Sequence, residues 1–203
     1  LGSIDYQEAW DLQGTLAEQI ATGERPATLL LLEHPHTFTF GRGGHIENLL
    51  WDPNNLARRK VKVFWVDRGG DVTYHGPGQL VGYPLLPLAP PDWIRTGADR
   101  LPRVDTTGYL RKLEKILISA LAELGLPGCQ AVEGLTGVWA PGRGVSQPPA
   151  KIASIGVKVD AQGITKHGFA LNVQPEMSYW QGIIGCGLGD KPVCSMAELL
   201  PDL

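Results

Sequence analysis

The spacing of apolar residues along the chain predicts two long amphipathic helices and one short helix. In residues 5–20 and again in residues 110–124, apolar side chains recur every three or four positions, which places them on one helix face. Asp5 has the position of an N-cap for the first helix, and Gly125 ends the second. Ser195, followed three residues later by a glutamate, predicts a capping box that opens the short helix.

Runs of apolar and β-branched residues predict strands between these helices. The segments are residues 28–32, 37–40, 61–67 and 80–86, followed by two hairpins, 131–140 around Gly134 and 151–173 around Gly163. Strands outnumber helices and mostly follow one another as hairpins. The sequence therefore predicts an α/β fold of the α+β kind, with a mixed or antiparallel sheet and helices on one side. Residues 87–104 and 140–150, rich in proline and glycine, are predicted to be a surface excursion and a linker.

Length and composition narrow the class of protein. The 203 residues suit a single catalytic domain spanning 1–203. The net charge of -3 argues against a nucleic-acid partner. No apolar run approaches the roughly 20 residues of a membrane helix, and no signal peptide is evident, so we expect a cytoplasmic protein. The three cysteines indicate neither a disulfide framework nor a zinc site. His34 and His36 could share a strand face, but no third metal ligand is evident.

A run of polar residues among glycines, residues 68–79, is the first candidate for a binding site. Arginine, tyrosine, histidine and glutamine alternate there with four glycines, directly after a predicted strand. Glycine allows a backbone to approach a ligand closely and to present its N–H groups. The alternative is a long turn. The run lacks the spacing of a dinucleotide or phosphate-binding loop and is followed by a strand instead of a helix.

Cys186 is the candidate nucleophile, because glycines on both sides of it can expose a thiol. A thiol with the usual pKa of about 8.5 is only a few per cent ionised at neutral pH, so a neighbouring cation is needed. The candidates for that cation are His75, His167 and Lys151, of which Lys151 opens an apolar strand. Cys194 stands at the start of the short terminal helix, which could lower its pKa as well.

At this level of detail the chain resembles the lipoyl(octanoyl) transferase family of lipoate biosynthesis. The resemblance covers most of the chain and is carried by five motifs, residues 33–35 with 41–42, 68–79, 151–157, 167–173 and 186–187. Two positions depart from the family pattern. Gly185 stands where the family usually has proline, and Cys194 stands where it usually has threonine.

The resemblance implies a fold like that of the biotin and lipoate protein ligases. It implies that Cys186 carries the acyl group as a thioester and that Lys151 lowers the pKa of its thiol. By the same resemblance the acyl site is lined by Arg68, Gly69, Gly70, Asp71, Val72, Thr73, Tyr74, His75, Ser154, Ile155, Gly156, Gly168, Phe169 and Ala170.

The implied reaction is the first step of endogenous protein lipoylation. An octanoyl group passes from octanoyl-acyl carrier protein to a lysine of lipoyl domains, in 2-oxoacid dehydrogenase complexes and in the glycine cleavage H protein. Because the acyl group arrives already activated, neither ATP nor another cofactor nor a metal is expected.

Three alternatives stay open at this point. An ATP-dependent lipoate or biotin protein ligase would share the fold and would need no cysteine. A non-catalytic module that binds acylated carriers would keep the glycine-rich run but would need no reactive thiol. A cysteine hydrolase would pair Cys186 with a histidine, for which His75 or His167 could serve.

The densest basic cluster consists of Arg58, Arg59, Lys60 and Lys62. Acyl carrier proteins and lipoyl domains are typically acidic, and this chain is itself slightly acidic, so attraction between them would have to come from a local patch. The cluster is interpreted either as a solvated helix end or as that docking patch.

Overall fold

The computed structural model describes residues 1–89, 104–142, 147–185 and 191–200. Most of the predicted surface excursion and part of the predicted linker lie outside these ranges, and so does Cys186. Within the described residues, no helix is long and apolar enough to cross a membrane.

Within the part of the chain that the structure describes, nine strands form two sheets. They are β1 (Thr28–Leu32), β2 (Thr37–Phe40), β3 (Lys62–Trp65), β4 (Val72–His75), β5 (Gln79–Leu85), β6 (Gln130–Val132), β7 (Leu135–Ala140), β8 (Ala150–Val159) and β9 (Thr165–Asn172). The larger sheet has the order β1-β5-β9-β8-β7-β6 and is antiparallel throughout. The smaller sheet has the order β3-β2-β4 and is mixed, because β2 runs parallel to β3 and antiparallel to β4.

The described helices are α1 (Tyr6–Ala21), α2 (Pro53–Arg58), α3 (Thr106–Glu123) and α4 (Met196–Leu199). The three predicted helices, α1, α3 and α4, lie close to their predicted positions, whereas α2 was not predicted. The carboxylate of Asp5 caps α1 by accepting from the backbone N–H of Gln7. The predicted capping box of the short helix is confirmed, since Ser195 and Glu198 each accept from the other's backbone N–H.

The two long helices cover opposite faces of the larger sheet. α1 packs in a cluster with Val81 and Ala170, whereas α3 packs in a cluster that contains Ala153 and Leu171. Neighbouring residues of a strand point to opposite faces, so Ala170 and Leu171 mark the two sides of β9. The prediction that the helices lie on one side was therefore wrong. The sequence shows which face of each helix is apolar, but it does not show which face of a sheet that helix covers.

The glycine-rich run also contains a strand that the sequence did not predict. β4 occupies its centre, where Val72 and Tyr74 pack with Phe38 and other residues in a core cluster. Thr73 belongs to the opposite face of β4, and its hydroxyl donates to Ser154 Oγ of β8 at 3.4 Å. β4 therefore carries polar side chains on the face that looks toward the larger sheet.

Candidate active site

A cavity of about 230 Å³ lies where β4 and the residues before it meet β8 and β9. Most of the site residues predicted from the sequence line it, namely Arg68, Gly70, Asp71, Thr73, His75, Lys151, Ser154, Ile155, Gly156, Gly168, Phe169 and Ala170. The prediction omitted further residues that also line it, namely Tyr6, Tyr83, Gly134, Leu135, Thr136 and His167. Only His167 had a signal in the sequence, because it opens one of the five motifs. Tyr6 has the pattern of a core residue of α1.

Three predicted binding residues do not line this cavity. The backbone N–H of Gly69 donates to the carbonyl oxygen of Val157 at 3.0 Å, which ties the run to β8. Val72 and Tyr74 are fully buried in the core of the smaller sheet. These residues hold the wall of the cavity in place.

Lys151 lies between this cavity and a second one of about 350 Å³. The second cavity is also lined by Gly185 and Lys191, the described residues nearest in sequence to Cys186 on either side. Only about 5% of Lys151 is exposed, and its ammonium nitrogen lies 4.9 Å from the centre of the Trp139 ring.

A β-bulge accounts for the direction of Lys151. Val138 pairs with Ala153 and Trp139 pairs with Lys151, so Ile152 is an extra residue in β8. Ile152 and Ala153 are both buried in the cluster beneath α3. Strict alternation would turn Lys151 toward that cluster as well, whereas the bulge turns it toward the cavities.

Gly137 on the facing strand allows this close approach. Its φ of +116° is a conformation that other residues rarely adopt. A Cβ atom there would lie 2.5 Å from the carbonyl oxygen of Ala153 and 3.4 Å from Cε of Lys151.

Arg68 stabilises the bend that leads into the glycine-rich run. Its guanidinium donates to the backbone carbonyl of Thr39 at 2.5 Å and to the hydroxyl of Thr39 at 2.9 Å. Glycines on two other segments leave room for it. A Cβ atom on Gly41 would lie 2.8 Å from the guanidinium, and one on Gly156 would lie 2.9 Å from Cδ of Arg68. Arg68 therefore joins the two sheets at the cavity.

His75 is a neutral group held by hydrogen bonds on both sides. Its Nδ1 lies 2.9 Å from the side-chain oxygen of Gln79, and its Nε2 lies 3.3 Å from the hydroxyl of Thr39. Complete burial, with some repulsion from nearby His34 and Arg68, holds the pKa of His75 well below its usual 6.5. His75 is thus poorly suited to be the cation that ionises a thiol.

His167 lies toward the other end of the cavity, beside the carboxylate of Asp67. Its Nε2 is 2.8 Å from Asp67, whose second oxygen pairs with Lys158. Burial lowers the pKa of His167, although its bond to Asp67 acts in the opposite direction. His167 pairs across the sheet with Val157, six positions along β8 from Lys151, or about 20 Å at the rise of a strand.

Asp71 binds neighbouring backbone and side-chain groups. One carboxylate oxygen accepts from the amide of Asn48 at 2.5 Å, and the other accepts from the N–H of Val72 at 2.7 Å. The carbonyl of Asn48 in turn accepts from the N–H of Ile184 at 2.8 Å. Asp71 therefore helps to fix the segment that leads toward Cys186.

Cys194 is buried, and its thiol lies 3.7 Å from the carbonyl oxygen of Ala150. Cys129 is also buried, which raises the pKa of its thiol. The environment of Cys129 therefore does not favour a thiolate.

Two residues of the basic cluster, Arg59 and Lys62, contact different parts of the structure. The guanidinium of Arg59 lies 4.4 Å from the centre of the Trp51 ring, and Lys62 pairs with Asp5 at 2.6 Å. A docking role for this cluster stays a prediction.

Comparison with known proteins places the chain in a family. The model of the lipoyl protein ligase A/B catalytic domain matches residues 5–203. The chain belongs to this family. Octanoyltransferases from Solibacter usitatus and Koribacter versatilis are 47% and 44% identical to it, over 98% of this chain and 81% and 74% of their own lengths. These relatives confirm the acyltransferase class that the motifs indicated.

Solved structures with the same fold are lipoate protein ligases. The bipartite ligase of Thermoplasma acidophilum superimposes with a TM-score of 0.66 at 16% identity, over 98% of this chain and 73% of its own. A lipoate-protein ligase A bound with ATP has a TM-score of 0.66 at 15% identity, over 95% and 74%. At such low identity these structures confirm the fold alone.

Proposed function

We propose that the protein transfers an octanoyl group from octanoyl-acyl carrier protein to the lysine of a lipoyl domain. Cys186 carries the acyl group as a thioester between the two steps. The observation that carries this proposal is the position of Lys151. It lies between a cavity lined by the glycine-rich run and a cavity lined by the residues that flank Cys186.

In the first step, the thiolate of Cys186 attacks the carbonyl carbon of the donor thioester. The bond to the carrier sulfur breaks, and the carrier thiolate takes up a proton. One thioester replaces another, so this step needs little driving force. In the second step, the amine of the acceptor lysine attacks the Cys186 thioester. An amide forms, the amine loses a proton, and the Cys186 thiolate is regenerated.

Lys151 supplies charge and a proton in this scheme. As a cation it favours the thiolate of Cys186. It then gives a proton to the departing carrier sulfur and, as the free amine, takes the proton that the acceptor lysine loses. The low exposure of Lys151 strengthens the attraction between its charge and the thiolate, because solvent screens buried pairs of charges less.

The first cavity is proposed to hold the octanoyl chain. The predicted binding residues on β4, β8 and β9 line it along the strand direction away from Lys151. Gly70, Gly156 and Gly168 line the cavity without side chains that would fill it. Gly69, Val72 and Tyr74 do not line the cavity but support the residues that do.

The proposed acceptors are the lipoyl domains of 2-oxoacid dehydrogenase complexes and of the glycine cleavage H protein. We propose that the reaction takes place in the cytoplasm.

The intact mass of the protein after incubation with octanoyl-acyl carrier protein tests the proposal. We expect one octanoyl adduct, located on Cys186, that disappears when a lipoyl domain is added and reappears as an amide on that domain. An adduct lost to water at the same rate without a lipoyl domain would indicate a hydrolase. Absence of an adduct, with acyl transfer only in the presence of ATP, would indicate a ligase.

Filling the first cavity should change the preferred chain length. We expect Ser154→Leu to lower the ratio of kcat/KM for octanoyl over butanoyl thioester by about 10-fold or more, as added methylenes in a fitted pocket do. Val157→Leu is the matched control, because Val157 lies on β8 but packs against Tyr109 and Leu113 beneath α3. An unchanged ratio in Ser154→Leu would contradict the assignment of this cavity to the acyl chain.

A further inference from the structure

A chain of buried side-chain hydrogen bonds connects the glycine-rich run to the segment after Cys186. Gln79 and Asn172 are its central members, and they are 0% and 3% exposed. The amide nitrogen of Gln79 donates to the side-chain oxygen of Asn172 at 2.9 Å. The amide nitrogen of Asn172 donates to the backbone carbonyl of Cys194 at 3.0 Å.

Two backbone carbonyls fix the direction of every bond in this chain. The carbonyls of Tyr74 and Cys194 can only accept, so Gln79 and Asn172 must turn their NH₂ groups toward them. The oxygen of Gln79 then faces Nδ1 of His75, which must carry the hydrogen. Asn172 thus has a fixed orientation, with its oxygen toward Gln79 and its NH₂ group toward the carbonyl of Cys194.

The carbonyl that Asn172 holds belongs to a segment paired with the backbone of Lys151. The N–H of Lys151 donates to the carbonyl of Pro192 at 2.8 Å, and the N–H of Cys194 donates to the carbonyl of Lys151 at 3.0 Å. Asn172, on β9, is therefore the side chain that fixes this segment from the side of the glycine-rich run.

We propose that Asn172 is a positioning residue for the acyl-transfer reaction. By holding the carbonyl of Cys194, it fixes residues 192–194 beside the backbone of Lys151, and this segment leads back along the chain to Cys186. Asn172 touches neither the substrate nor the thiol. This inference rests on the proposed function, since it assumes that Cys186 and Lys151 act together.

Asn172→Asp tests the role with almost no change of shape. The carboxylate still accepts from Gln79 but cannot donate to Cys194, and it sets a negative charge against that carbonyl. We expect kcat for octanoyl transfer to fall by about 100-fold, the order expected when reacting groups move by about 1 Å. We expect KM for the octanoyl donor to stay close to that of the wild type. The pH midpoint for alkylation of Cys186 by iodoacetamide should rise. Asn172→Ala, which adds no charge, is measured in parallel and should shift the same quantities in the same direction.

Thr165→Val is the matched control at the other end of β9. The Thr165 hydroxyl, also fully buried, donates to the carbonyl of Pro84 at 2.6 Å. Its loss removes this donor and the acceptor of the Leu86 N–H without touching the reactive end, so Tm should fall while kcat and the alkylation midpoint stay unchanged. If both Asn172 variants lose no more kcat than the Thr165 variant, or keep the wild-type midpoint, the positioning role is overturned. Absence of any Cys186 adduct in the wild type would overturn the proposed function instead, and this inference with it.

Discussion

Replacing Lys151 with arginine is expected to lower kcat by about 100-fold or more while leaving the thiol of Cys186 reactive. Arginine keeps the positive charge but stays protonated at all relevant pH values, so it can neither give nor take the proton. Steady-state transfer and the rate of alkylation of Cys186 by iodoacetamide measure the two roles separately.

Lys151→Met completes this test, because it removes both the charge and the proton. Its alkylation midpoint should rise toward the ordinary thiol pKa of about 8.5. Lys166→Met, on the neighbouring strand, should change neither quantity and serves as the control. Wild-type turnover in Lys151→Arg would exclude proton transfer by this residue, and an unchanged midpoint in Lys151→Met would exclude its electrostatic role.

Mild acid is expected to destabilise the protein, because burial lowers the pKa of three histidines. Burial lowers the pKa of His34 to about 4, holds that of His75 well below 6.5, and lowers that of His167. Below about pH 6.5 the unfolded chain binds protons that the folded chain does not, so stability falls as the pH falls. For His34 this loss continues until about pH 4.

The expected size of this effect is a sizeable part of the stability of a domain. His34 and His75, whose pKa values are lowered most, each contribute a slope of up to about 1.4 kcal/mol per pH unit, or up to about 3 kcal/mol per unit together, and His167 acts in the same direction. Against a total of about 5–15 kcal/mol, a loss of about 4 kcal/mol is expected by roughly pH 5. The depressed pKa of Asp67 does not offset this loss, because its contribution is lost only at pH values below the usual 3.8 of a carboxyl group.

Denaturant unfolding between about pH 8 and pH 5 measures the slope. His34→Gln should flatten it by about one proton, since glutamine can donate to Ile4 and accept from Tyr83 as His34 does, but does not titrate. His45→Gln, at an exposed histidine, should leave the slope unchanged. A wild-type slope below about one proton would show that the folded chain accepts these protons.

Periodic patterns in the sequence predicted most of the fold. The spacing of apolar residues defined α1 and α3 because a helix repeats its contacts every three or four residues. β4 was missed because glycines surround it, and it forms a strand by pairing with β2, which is distant in sequence. The side of the sheet that each helix covers depends on chain crossings, which leave no local pattern.

The site was predicted only in part, because local patterns identify motif residues but not contacts between distant parts of the chain. Lys151 and the glycine-rich run could be selected from residue types and motifs. Asp67 was not selected, and neither was Asn172 although it lies within the motif 167–173, because their significance comes from partners at other points of the chain, His167 and Cys194. The sequence also did not show which of residues 68–75 face the cavity, because this depends on the alternation of side chains along β4.

The extra residue in β8 makes the chemistry sensitive to the length of the chain as well as to its composition. Inserting one residue between Lys151 and Ile152 would leave every motif side chain present, yet with the bulge at Ile152 retained, regular alternation would carry the ammonium of Lys151 to the α3 side of the sheet. A search for related enzymes, or a redesign of this strand, therefore has to count residues between Lys151 and Ser154. Two chains with the same catalytic residues but one residue more in that interval would present Lys151 on different faces of the sheet.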